Sequence, residues 1–166
     1  MANIKFIAVS RSLSGILDYV TNREKTVERL ISGVNCMAQT AQDEFEAVKK
    51  QFRKTDGRSY YHIVQAFAPD DPLDFDTAHE IGLKFAEYFK GYQCVMVTHM
   101  NTAHIHNHII MNSVNFENEV SSERQGDAAG KGVQQPTLPG VWLVLHREQG
   151  GSVPYSCLEE TAVPYH

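Results

Sequence analysis

Four of the eight histidines fall within ten residues, in the run Thr98-His99-Met100-Asn101-Thr102-Ala103-His104-Ile105-His106-Asn107-His108-Ile109-Ile110. Side chains two apart on a β-strand share a face. On that spacing His104, His106 and His108 point one way, while Ile105 and Ile109 point into the opposite layer. His99, at the end of a neighbouring strand, is placed to close over the histidine face. Neutral imidazole is the commonest protein ligand for divalent metals, and three such ligands leave coordination positions open for chemistry. We expect His99, His106 and His108 to be the ligands. A polar sheet face with solvated histidines is the plainer reading, and four histidines on this spacing weigh against it. Three imidazoles suit Zn, Mn, Fe, Co or Ni, and hydrolases, oxygenases and nucleases all use such sites, so the cluster alone names neither metal nor reaction.

Positioning such a cluster requires strands backed by helices. Ile4–Val9 reads as a first strand, followed by a short helix capped by Ser12 or Ser14 that carries Ile16, Leu17 and Val20. Residues 22–35 are polar and read as a loop. Thr40 is placed to cap a helix with Ala41, Phe45, Val48 and Phe52 on one face. The Asp-Gly turn at residues 55–58 precedes a strand over residues 60–67. Thr77 and Glu80 resemble a capping box before a helix carrying Ala78, Ile81, Phe85, Tyr88 and Phe89, ended by Gly91. Two further strands, Val95–His99 and His104–Val114, form a hairpin. The expected fold is α+β, a mainly antiparallel sheet with helices packed on it.

Bulk composition narrows the classes. The chain of 166 residues is long enough for one cored domain and short for two. No stretch is long and apolar enough to cross a membrane, and residues 1–10 lack the features of a secretory signal. Cys36, Cys94 and Cys157 are widely spaced and odd in number, which suits free thiols in a reducing cytoplasm. A net charge of −5 weighs mildly against nucleic acid. Local basic groups still stand out: Arg11, Arg23, Lys25 and Arg29, then Lys49, Lys50, Arg53, Lys54 and Arg58. Solvated surface is the plainer reading of both groups.

Three stretches share a resemblance to one family. The run from His99 to Asn112, with His99 seven residues ahead of the His106-x-His108 pair, resembles the third motif of relaxases of the MobA/MobL type, within the His-hydrophobic-His endonuclease superfamily. Gly15-Ile16-Leu17-Asp18-Tyr19-Val20-Thr21-Asn22, with Glu24-Lys25-Thr26, resembles the family's first motif. Ser32-Gly33-Val34-Asn35-Cys36 and Tyr61-His62-Ile63-Val64-Gln65-Ala66-Phe67 also look like family segments. The likeness covers about residues 1 to 118 and implies the relaxase fold of that superfamily. It implies metal-dependent, site- and strand-specific nicking of DNA at a transfer origin in conjugative mobilisation. Tyr19 would be the nucleophile, forming a 5′-phosphotyrosine and freeing a 3′-hydroxyl. The metal site would be His99, His106 and His108, holding a divalent ion (Mn, Mg or Zn). Arg11, Arg23, Lys25 and Asn101 are the expected DNA contacts. Single-stranded DNA, accessory mobilisation proteins and a coupling protein are the expected partners, with no membrane.

Two positions depart from the family's habit: Ala66 stands where Ser is common, and Asn101 where Asp is common. Asn cannot take a proton, so His104 and His62 become the candidates for proton transfer, and Asn101 or His104 for orienting the ligands. Without the resemblance, Tyr19 reads as an ordinary helix-face aromatic. The competing functions are a catalytically impaired single-stranded-DNA- or metal-binding remnant, a rolling-circle replication initiator endonuclease and a generic metallohydrolase. Pattern is lost after Asn118. Residues 119–166 read as an irregular tail of out-of-frame sequence on an incomplete catalytic domain, loosely packed and with Trp142 partly exposed. Read one base later with suitable synonymous codons, residues 135–143 are compatible with Asn-Gln-Leu-Cys-Arg-Glu-Tyr-Gly, resembling a helix that relatives carry.

Overall fold

The computed structural model describes residues 2–7, 12–100, 104–117 and 145–147. In chain order the elements are β1 (Ala2–Ile7), α1 (Leu13–Val20), β2 (Ile31–Val34), α2 (Ala41–Gln51), β3 (Tyr60–Phe67), α3 (Phe75–Glu87), β4 (Cys94–His99), β5 (His106–Asn112) and β6 (Leu145–Arg147). They build one sheet in the order β2-β4-β5-β3-β1-β6. Every pairing is antiparallel except β1 with β6. The α+β architecture expected from the sequence is the one observed.

Strand alternation divides the core into two layers. Ile4, Ile63, Met96, Ile109 and Met111 pack with Phe85 and Ala86 of α3 on one face. Val95, Val97, Ile110 and Tyr60 pack on the other with Leu13, Ile16 and Val20 of α1 and Ala41 and Phe45 of α2. The central strands β4 and β5 are therefore covered on both sides. That is why Val95-Met96-Val97 and Ile109-Ile110-Met111 are continuous apolar runs and not alternating ones.

The helix starts follow capping chemistry. Ser12 Oγ accepts from Gly15 N at 3.2 Å to open α1. At α3 the cap is Asp74, which accepts from Thr77 N at 2.6 Å. The expected Thr77–Glu80 box is thus corrected: Asp74 stands one turn earlier and takes the orphan amide first. Thr40 precedes α2 without capping its backbone, and its hydroxyl meets Glu44 Oε1 at 2.6 Å instead. Tyr88 lies beyond the helical face assigned to it and is exposed.

Two segments differ more clearly. Residues 22–35 were expected to be loop, yet Ile31–Val34 is an edge strand paired with β4. Ser32 and Gly33 mask its alternation, and pairing with one neighbour only needs no apolar run. Of the tail, Leu145–Arg147 adds a short strand parallel to β1; Trp142 and the other tail residues lie outside the described residues.

Candidate metal and nucleophile site

The β4–β5 register places His99 opposite His106, and His108 follows His106 by one strand period on the same face. That face is the one covered by α1 and α2. His99, His106 and His108 each offer one ring nitrogen, and the three atoms lie within 4.8 Å of one another. His104 precedes β5 and is not in this set, so the alternation that seemed to include it stops at His106.

Bonds to carbonyls settle which nitrogen His99 and His106 present. His99 Nε2 meets the Val20 carbonyl at 2.9 Å. A carbonyl only accepts, so that nitrogen is protonated and Nδ1 carries the lone pair. His106 Nδ1 donates to the His104 carbonyl at 3.1 Å, so the lone pair of the neutral ring is on Nε2. His108 Nδ1 meets His62 Nε2 at 2.8 Å. His108 Nε2 is buried without a hydrogen-bond partner among the described residues. A buried orphan nitrogen beside two lone pairs fits a bound cation, and the other three nitrogens show the outer hydrogen bonds that orient metal-binding imidazoles. His104 contributes to this orientation through its carbonyl, whereas Asn101 lies outside the described residues.

Burial keeps His62, His99 and His108 neutral. It pushes His62 down to about 3 and His99 to about 4 from an ordinary 6.5, with the neighbouring histidines adding to the effect. His108, wholly enclosed, is lowered well below the ordinary value. Depressed folded-state values mean that the unfolded chain takes up protons first as pH falls. The stability due to these neutral rings is complete above about 6.5 and drains away as pH drops towards 4. Chelator-treated protein should accordingly melt lower at pH 5 than at pH 7.5; equal melting temperatures at the two values would contradict this.

Tyr19, on α1, leans against the same cluster. Its ring centroid is 6.0 Å from that of His99 and 6.2 Å from that of His108. Lys25 Nζ stands 3.8 Å from the centre of the tyrosine ring. The loop bearing Lys25 is tied to the end of β4: Met100 N donates to the Lys25 carbonyl at 2.7 Å, and Thr26 Oγ1 donates to the Thr98 carbonyl at 2.7 Å. The loop bearing Lys25 and the end of β4 at His99 are thereby held together.

A family model for relaxases, the MobA/VirD2-like nuclease domain, matches residues 19–131. The chain belongs to this relaxase family. Among curated relatives, protein Rlx of Staphylococcus aureus is 33% identical over 118 residues, covering 70% of this chain and 34% of the relative. A second Staphylococcus aureus Rlx is 32% identical over 149 residues, covering 87% of this chain and 42% of its own. The group II intron-interrupted relaxase LtrB of Lactococcus lactis subsp. cremoris is 32% identical over 132 residues, covering 63% and 23%. The chain thus spans well under half the length of these relatives. No solved structure matches it.

The other residues expected in the relaxase site are placed variously. His62, fully buried, stands behind His108. That position suits holding the His108 ring. Arg23 is exposed, and Arg11 lies outside the described residues. Arg29 is paired with Asp76 at 3.0 Å, and Lys49 is turned inward to the Ser59 carbonyl.

Sequence reasoning missed a buried polar chain on the reverse side of β4 and β5. Asn107, between His106 and His108, donates to Gln65 Oε1 at 2.9 Å and to the Ala78 carbonyl at 2.7 Å. It accepts from Thr98 Oγ1 at 2.7 Å. Thr98 has one proton, so His79 Nδ1 must donate to it at 2.9 Å, and His79 Nε2 accepts from Ser32 Oγ at 2.8 Å. A Cβ on Gly82 would come within 2.5 Å of Asn107 Nδ2, so α3 is glycine-close at this point. The one visible signal was an Asn inside an apolar strand. Asn107→Leu should destabilise the domain by about 3–5 kcal/mol, since it orphans several buried groups at once. Chemical denaturation measures it, and a loss under about 1 kcal/mol would contradict the network's importance.

Proposed function

We propose that this chain carries the nicking centre of a conjugative relaxase, acting on one strand of DNA at a transfer origin. The observation that supports this reading most is the packing of Tyr19 against His99 and His108 beside three convergent imidazole nitrogens. His99 Nδ1, His106 Nε2 and His108 Nε2 would hold a divalent cation, with Mn, Mg or Zn as candidates. Such a cation supplies Lewis-acid stabilisation of charge on phosphoryl oxygens.

The chain's own groups perform the remaining work. Tyr19 Oη attacks phosphorus in line with the 3′ oxygen; a Tyr–O–P bond forms, the P–O3′ bond breaks, and the 3′ oxygen leaves as a hydroxyl. The phenol's proton ends on that leaving oxygen, with His104 the candidate carrier. His62 holds His108, while the Val20 and His104 carbonyls hold His99 and His106. Arg23 and Lys25 contact the DNA backbone, joined by Arg11 and Asn101. Because the phosphotyrosine conserves the bond energy, the reverse step rejoins the strand. Accessory mobilisation proteins and a coupling protein complete the transfer machinery in the cytoplasm. Among the described residues no helix is long and apolar enough to cross a membrane.

The test uses labelled single-stranded oligonucleotides tiling the DNA that flanks the gene, with Mn or Mg. A denaturant-stable protein–DNA adduct that chelator prevents is the expected result. Binding without an adduct would instead favour an impaired remnant, and neither would sink the reading.

A further inference from the structure

Lys25 has a placement that a loosely held surface contact with DNA does not require. Its backbone carbonyl is fastened to Met100, the residue after the ligand His99, and its neighbour Thr26 is fastened to Thr98, the residue before. Its side chain is half-buried and its ammonium lies over the ring of Tyr19, which itself touches His99 and His108. A fixed positive charge therefore stands beside a site built to receive a dication. Like charges in one site repel, so a lysine here works against metal binding alone.

We propose that Lys25 forms an anion subsite for one phosphoryl oxygen, placed between the Tyr19 ring and the three-histidine site, so that metal and phosphodiester bind with positive coupling. With no anion present, Lys25 opposes the cation. A phosphodiester inserted between the two positive charges neutralises both, so each ligand raises the affinity for the other by the same factor. The functional consequence is a site that holds its metal weakly until DNA is present. This inference rests on the three-histidine metal site proposed above.

Titration of Co(II) into chelator-treated full chain tests it, with and without millimolar dimethyl phosphate as the phosphodiester probe. Wild-type protein should bind Co(II) several-fold more tightly with the probe than without it. Lys25→Met should bind Co(II) more tightly than wild type in the absence of the probe, on the order of tenfold, and should lose the enhancement by the probe. Lys25→Arg should restore both behaviours, because charge and not shape is at issue. A merely structural lysine would give weaker Co(II) binding in Lys25→Met, alongside a lower melting temperature, and that result would overturn the proposal. Unchanged affinity and unchanged enhancement would overturn it too. If wild-type protein takes up no Co(II) under either condition, the metal site itself fails. If it takes up Co(II) normally and Lys25→Met shows no gain, only the anion subsite fails.

Discussion

His106→Ala is expected to lower metal affinity by more than about 100-fold while leaving the domain folded. Removing an outer hydrogen-bond partner of a metal ligand costs 10–100-fold, and a lost ligand should exceed that. Among the three imidazoles His106 is the one to change first, because it opens β5 and is only half-buried. His99 and His108 are 1% and 3% exposed, so their removal would also leave cavities in the sheet's covered face. A folded His106→Ala protein that keeps full metal stoichiometry would show that the ligand set is wrong. Asn107→Leu provides the contrast: its loss should appear first in stability, since its side chain faces α3.

Tyr19→Phe should reduce the covalent adduct below detection while metal and DNA binding persist. Only the hydroxyl is removed. The phenyl ring retains its contacts with His99 and His108 and still lies under Lys25, so packing gives no other reason for loss. In the proposed reaction the Tyr19 hydroxyl is the attacking oxygen, so the adduct goes with it. Adduct formation at the wild-type rate would remove Tyr19 from the reaction, whereas loss of metal along with the adduct would recast it as a structural residue. Denaturing electrophoresis with end-labelled oligonucleotide reads the first, and equilibrium metal titration the second.

The histidine site was legible because strand periodicity is rigid. His106 and His108 are one strand period apart and a hairpin brings His99 across, so spacing placed all three on one face, with His104 beside them. The same argument failed for His104, because alternation holds only inside the strand, and β5 begins at His106. Tyr19 was not legible from pattern; Leu17 and Val20 make it look like any helix-face aromatic, and only the family likeness marked it. β2 was hidden because an edge strand with Ser32 and Gly33 at its centre needs no apolar alternation. The polar chain Ser32–His79–Thr98–Asn107–Gln65 was hidden for another reason: its members come from five elements, β2, α3, β4, β5 and β3. Only the fold brings them together. Imidazole tautomers likewise depend on carbonyls, at Val20 and His104, that no residue type advertises.

Mapping the DNA-linked peptide tests the central claim most directly. Wild-type chain would be incubated with the cleaved single-stranded oligonucleotide and Mn, then digested with protease and analysed by mass spectrometry. The account predicts a nucleotide 5′-phosphate on the peptide containing Tyr19, absent when chelator is present. An adduct on any other residue, or strand cleavage with no protein-linked DNA at all, would contradict it.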